Sequence, residues 1–431
     1  MIRSRPAARL GELQLLTWVA AFSITGYVAV VATASGHFSW YEIAVPVAVL
    51  AIFGALHLFL VSVGFRGDQF LVPLAVGLTG IGFVLVERLA PTLLLQQLSW
   101  LVIAAGAFCI TILVPRDLSV LARYKYTWAL LGVLLLISPL LPIVGREING
   151  ARIWVGITGV AQFEPWELVK LALVIFFAAY LEEYREVLST SPRRLGPIRL
   201  PPIPYLLPIV AMWLVAMLVL VFEKDLGATL LFFGIFLAML YLATGEPLYV
   251  AIGLLMLAAG GVVAYHAFAH VAARVDVWLA PFDSPLRFNQ AYQLTQGLFS
   301  LANGGLLGAG LGNGMPERIP VVWSDFVFDA FTEEVGVAGA LVLLAFYLAF
   351  VYRGMLIALR APTVFMQLLA SGLSFIVAFQ TLVIVAGNAK LIPLTGITLP
   401  FVAYGGSSLV TNFMLCALLL RVSDVTARVR R

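Results

Sequence analysis

Apolar stretches of roughly 18 to 24 residues, each long enough to cross about 30 Å of hydrocarbon, recur along the whole chain and limit its fold more than any other feature. They fall near residues 13–34, 42–64, 71–90, 97–114, 127–144, 166–183, 205–222, 226–244, 248–268, 334–353, 363–386 and 404–421. The expected fold is therefore an all-α polytopic membrane protein with about twelve transmembrane helices, its 431 residues forming one membrane domain. Composition agrees, with 62% hydrophobic and 11% charged residues against about 45 to 50% and 25% in soluble domains.

Lys and Arg set the orientation, because basic residues in short loops stay on the cytoplasmic side. With both termini inside, the inner segments hold 17 of the 26 basic residues. Arg88, Arg146, Arg152, Lys170, Lys224, Arg274, Arg287, Arg318 and Lys390 remain on or near the outer side, as candidates for functional work. The first apolar run has no small-residue cleavage site and reads as a retained span. Basic residues are dispersed and not interleaved with aromatics, which argues against nucleic-acid binding. Cys109 and Cys416 lie in predicted spans and give no disulfide framework.

The unusual polar sequence gathers on the outer face. A long extracytoplasmic loop, 269–333, ends in VVWSDFVFDAFTEEVG, which places four carboxylates within sixteen residues (321–336). Asp325, Asp329 and Glu333 are spaced i, i+4, i+8 and would share one face of a helix beginning near Ser324. Upstream, residues 303–314 hold six glycines, a sign of tight turns or close backbone approach; the segment lacks the pattern of a nucleotide loop. Glu167 and Lys170 sit i, i+3 at the outer end of a span, as an ion pair or a substrate-binding pair. Asp225 opens the eighth span as a helix cap or a site residue. Ser407 and Ser408 open the last span, where backbone N–H groups would meet an anion, with Lys390 and Arg152 as candidate cations nearby. His266 and His270 are i, i+4 on the ninth predicted span, but no acid accompanies them to complete a metal site. Trp40, Trp100, Trp166 and Trp278 read as interfacial anchors.

From Asn149 onward the chain holds, in order, NGARIW with PWELVK, KDLG, AYQLTQGLFSLANGGLLGAGLGNG, SDFVFDAFTEEVG and IPLTGITLPFVAYGGSS. In these motifs it resembles the SEDS family (shape, elongation, division and sporulation), the RodA/FtsW-type proteins of bacterial cell-wall synthesis. The resemblance implies a peptidoglycan glycosyltransferase of the bacterial plasma membrane that polymerises lipid II into glycan strands outside the membrane, in elongation, division or sporulation. It implies a ten-helix core, which makes residues 1–70 a two-helix N-terminal addition. It also implies a class B penicillin-binding protein, a transpeptidase, as partner. By motif, Asp325 corresponds to the family's essential acid, Glu167 and Lys170 to its Glu-x-x-Lys, and Asp225 to the Asp of its Asp-Leu-Gly. Trp166, Lys224 and Ala403 stand where the family commonly has Ser, Pro and Ser.

Inverting transfer needs a base for the acceptor hydroxyl and a positive or hydrogen-bonding site for the departing pyrophosphate. Asp325 is the expected base, with Asp329 and Glu333 shaping its surroundings. Arg152, Lys170, Lys390, the helix start at Ser407 and Ser408, or a divalent cation (Mg2+ or Mn2+) would serve the pyrophosphate; no organic cofactor is expected. A transporter of lipid-linked precursor would place polar groups near the midplane within internal repeats, whereas this chain gathers them at one face. A non-catalytic scaffold would leave the Asp325 region unexplained.

Overall fold

The computed structural model describes residues 9–34, 40–114, 117–142, 144–148, 151–157, 161–189, 223–284 and 286–430, with a few positions between 190 and 222. In chain order the helices are α1 (Leu10–Ala34), α2 (Trp40–Ser62), α3 (Leu71–Leu89), α4 (Leu94–Leu113), the short α5 (Ser119–Arg123), α6 (Lys125–Ile137), α7 (Pro165–Ser189), α8 (Leu226–Thr244), α9 (Pro247–Ala267), α10 (Ala269–Leu279), α11 (Tyr292–Gly304), α12 (Val327–Arg360), α13 (Val364–Asn388) and α14 (Gly406–Val429). Nine of these, among the described residues, are long and apolar enough to cross a membrane, and each coincides with a predicted span. Two more predicted spans, 127–144 and 166–183, fall on α6 and α7. The span expected at 205–222 lies outside the described residues. The chain is an integral membrane protein.

The chain falls into two compact units. One comprises Met1–Val114, Asp276–Arg353 and Gln380–Arg431; the other comprises Pro115–Val275 and Gly354–Phe379. In the first unit α14 packs along α4 and α3, and α1 lies along α3. Glycines permit the close approaches: a Cβ on Gly406 would meet the Trp100 ring at 2.1 Å, and one on Gly82 the carbonyl of Val402 at 2.5 Å. In the second unit α7 packs between α6 and α8, with Phe176, Phe177 and Phe236 in its core. Trp100 and Trp166 are buried, at 9% and 3% exposure, and so serve as core residues and not as the interfacial anchors expected.

At one end of the first unit buried charges are paired, as burial requires. Arg9 donates from Nε to Glu12 Oε2 (3.0 Å) and from its terminal nitrogens to the carbonyls of Phe65, Gly67 and Asp68, while His57 Nδ1 lies 2.7 Å from Glu12 Oε1. Asp68 accepts from the N–H groups of Phe70 and Leu71 at the start of α3 and from Arg353 Nε at 3.0 Å. Asp424 accepts from the backbone of Arg66 and from Arg428 Nε. This is the end where α3 begins; its other end carries Arg88.

Three local features refine the sequence reading. The 269–333 segment, expected as a long loop, contains α10, α11 and single 3-10 turns at Leu286–Phe288 and Pro316–Arg318. His266 and His270 do not share a helix, because α9 ends at Ala267 and Phe268 is extended (φ −126°, ψ 114°) before α10 starts. The stretch after residue 144 forms a three-stranded antiparallel sheet of β1 (Gly145–Ile148), β2 (Ala151–Ile157) and β3 (Ala161–Phe163), with Gly145 opposite Val155 and Val155 opposite Phe163. Asn149-Gly150 between the first two strands is a hairpin signal that hydropathy alone passes over.

Candidate active site

Asp325 lies in a turn and not in the first helical turn as expected, since α12 begins at Val327. The turn is held from outside itself. Trp323 C=O accepts from Tyr404 N–H at 2.9 Å, and Asp325 C=O accepts from Asn388 Nδ2 at 3.0 Å. Ser324 Oγ donates to Asp325 Oδ1 at 2.6 Å. Val322 and Phe326, on either side, are buried with Leu294, Ile319 and Ala330. A helix starting later removes Asp325 from the shared face proposed for it with Asp329 and Glu333.

The four carboxylates consequently differ. Asp325 is part-exposed. Asp329 is 0% exposed; the Asn388 side chain is its polar neighbour, but neither carboxyl oxygen has a well-formed hydrogen bond among the described residues. Glu333 accepts from Ser300 Oγ (2.7 Å) and Met315 N–H (3.2 Å). Glu334 accepts from Arg88 Nε (2.8 Å) and Gly312 N–H (3.0 Å). Arg88, a candidate for outer-face chemistry, is thus committed to Glu334 and to the carbonyl of Gly314 (3.0 Å).

The glycine-rich loop has a backbone role. α12 is broken at Gly336, whose φ of 71° and ψ of −179° belong to a region essentially restricted to glycine. A break strands helical N–H and C=O groups, and the loop takes them up. Val337 and Ala338 N–H donate to the carbonyls of Gly305 and Leu306, while Ala309 and Gly310 N–H donate to those of Glu333 and Glu334. A Cβ on Gly308, itself at φ +80°, would stand 2.2 Å from the Glu334 carbonyl oxygen.

In the same unit, Lys390 has a left-handed backbone (φ 58°), its carbonyl accepts from Trp278 Nε1 at 3.0 Å, and it sits two residues beyond Asn388. Ser407 and Ser408 are turned inward. They are buried, and Ser408 Oγ is taken by Thr398 Oγ1 (3.0 Å) and Asn412 Nδ2 (3.2 Å). The Ser408 hydroxyl is thus engaged within the protein, whereas the anion expected at this helix start would meet backbone N–H groups.

The second unit holds the other expected residues. Lys170 Nζ lies 2.5 Å from Glu167 Oε2 with both side chains 0% exposed, and the Trp166 ring lies 5.7 Å from the same nitrogen. Both Glu167 oxygens lack a hydrogen bond of good geometry, so this is a charge contact more than an aligned bond. Asp225 caps α8, with Oδ1 accepting from Ala228 N–H at 2.9 Å. Burial raises its carboxyl pKa, opposed by that N–H and by Arg274 and reinforced by Glu167. Burial, with the Asp225 charge beside it, pushes Glu223 up to about 9. Arg152 is on β2, exposed, and pairs with Glu147 (3.0 Å). The structure thus groups Asp325, Lys390, Ser407 and Ser408 in one unit and Arg152, Glu167, Lys170 and Asp225 in the other. Sequence reasoning did not single out Asn388, or Arg274 as a neighbour of Asp225.

No three His, Cys, Asp or Glu side chains converge on a metal position among the described residues. A magnesium-type ion needs no such cage, since one or two carboxylates with substrate phosphates suffice.

A polytopic helical membrane protein with a carboxylate-bearing turn anchored between distant segments defines the class. The chain belongs to the FtsW, RodA and SpoVE family of cell cycle proteins, whose model matches residues 81–428. It is 38% identical to the peptidoglycan glycosyltransferase RodA of Mycobacterium tuberculosis over 98% of this chain and 92% of that one, so the N-terminal helices lie within the aligned region. It is 32% identical to the stage V sporulation protein E of Bacillus subtilis over 67% of this chain and 76% of that one. Among solved structures, a peptidoglycan synthase complex described as coordinating polymerization and crosslinking contains a chain matching 84% of this one and 98% of its own length, at TM-score 0.68 and 28% identity. RodA of Thermus thermophilus matches 83% of this chain and 97% of its own, at TM-score 0.57 and 28% identity.

Proposed function

We propose that this chain is a peptidoglycan glycosyltransferase that polymerises lipid II, with Asp325 as general base. The observation that carries the reading is the sorting of four neighbouring acids: Asp329, Glu333 and Glu334 are buried, and Asp325 alone is part-exposed. In the reaction the acceptor sugar hydroxyl attacks the anomeric carbon, the bond from that carbon to the pyrophosphate oxygen breaks, and Asp325 takes the hydroxyl proton. Within the unit that carries Asp325, Lys390 is the cation proposed to serve the departing lipid pyrophosphate, and a divalent cation would neutralise further charge there. The test is incubation of the purified full chain with lipid II. Glycan ladders are expected; their absence, alone and with a class B penicillin-binding protein added as the proposed partner, would sink the assignment.

The same reading has the Asp325 turn outside the membrane and the termini inside. Support comes from the first unit, where Arg9, Arg66, Arg353, Arg421 and Arg428 surround the beginning of α3, while Arg88 at its far end meets Glu334. Glu317, whose side chain is 64% exposed, is a suitable reporter position. A Glu317→Cys protein should react with a membrane-impermeant thiol reagent in intact cells. Labelling only after lysis would put the turn, and with it the chemistry, on the wrong side.

A further inference from the structure

Asp329 is the buried carboxyl that the proposed chemistry leaves unused. Native proteins rarely bury such a group without well-formed hydrogen bonds, because the desolvation is not recovered. Here α11 presses directly upon it: a Cβ on Gly297 would lie 2.5 Å from Asp329 Oδ2 and 2.6 Å from the Phe326 ring. Asn388, at the end of α13 and 1% exposed, is the polar side chain beside it. Its Nδ2 already donates to the main-chain carbonyl of Asp325 at 3.0 Å. An amide nitrogen carries two N–H groups, so one nitrogen can serve that carbonyl and the Asp329 carboxyl together.

We propose that Asn388 and Asp329 are positioning residues acting as one unit, in which Asp329 orients the Asn388 amide and the amide fixes the backbone of the turn carrying Asp325. The inference rests on Asp325 being the reacting carboxylate. It differs from a purely structural role in where the loss should appear. Asp325 lies in the turn before α12, with its carbonyl held by Asn388, so an error in that anchor displaces the base. A misplacement of about 1 Å costs on the order of a hundred-fold in rate.

The test is a double-mutant cycle on the full chain with lipid II as substrate. Asn388→Ala and Asp329→Leu are each expected to lower kcat by about a hundred-fold with KM changed less than about three-fold. The double variant should fall no further than the worse single one, because both act through one link. Asn388→Ser and Asp329→Asn, which keep polar groups in place, should retain more kcat than the apolar variants, and they supply the same cycle should those fail to fold. Losses that multiply to about ten-thousand-fold in the double variant, losses confined to KM, or single variants with wild-type kcat would each overturn the proposal. Asp325→Asn assayed alongside separates the two readings. If it polymerises normally the base assignment fails, whereas the cycle still reports whether residues 388 and 329 act together.

Discussion

Glycan polymerisation by an Asp325→Asn protein is expected to fall about a hundred- to ten-thousand-fold, the usual cost of removing a positioned general base. The substitution preserves the shape of the side chain, and one oxygen remains to accept the 2.6 Å hydrogen bond from Ser324 Oγ. The turn's anchors should also survive, because Asn388 and Tyr404 bind main-chain carbonyls and not the carboxylate. Thermal stability should therefore stay near that of the wild type while the chemistry is lost. Glu317→Gln, in the same outer segment and largely exposed, is the control expected to keep activity. If Asp325→Asn polymerises within a few fold of wild type, the base lies elsewhere; Glu333 and Glu334 are poor replacements, being held by Ser300 and Met315 and by Arg88 and Gly312.

The second large effect is expected on stability. Lys170→Met should destabilise the protein by about 3 to 5 kcal/mol, because it leaves Glu167 as an uncompensated charge in a fully buried place. Both partners are 0% exposed, so solvent does not soften the loss. The Glu167→Leu, Lys170→Met double variant removes both charges and should recover most of the stability. Polymerisation then decides the role of the pair: a stable but inactive double variant assigns it to substrate handling, and a stable, active one makes it structural. A Lys170→Met protein that melts at the wild-type temperature would refute the account of the buried pair.

Gly336 illustrates how much of this fold is legible in the sequence. The six glycines of residues 303–314 announced that backbone must come close to something, and Gly336 itself closes the acidic stretch. That the two belong to one device was not readable. The link consists of main-chain hydrogen bonds between residues 305–310 and 333–338, which leave no side-chain pattern. The ion pair of Glu167 and Lys170 was legible because both partners lie on one helical face. The burial of Ser407 and Ser408 was not, because α14 packs along α4 and α3, which lie far away in the chain.

The sequence by itself determined the membrane class, the positions of eleven spans that coincide with helices, the gathering of polar motifs and their family order. It could do so because hydrocarbon thickness sets the length of an apolar run and polar side chains are excluded from it. Only the tertiary structure decided which of four acids within sixteen residues remains part-exposed. Helical spacing puts Asp325, Asp329 and Glu333 on one face only if a regular helix runs through them, but α12 starts at Val327 and breaks at Gly336. Start and break alike are held by partners from elsewhere in the chain: Asn388 and Tyr404 at the turn, residues 305–310 at the kink. A local pattern cannot report contacts made across such separations, and those contacts set Asp325 apart from its neighbours.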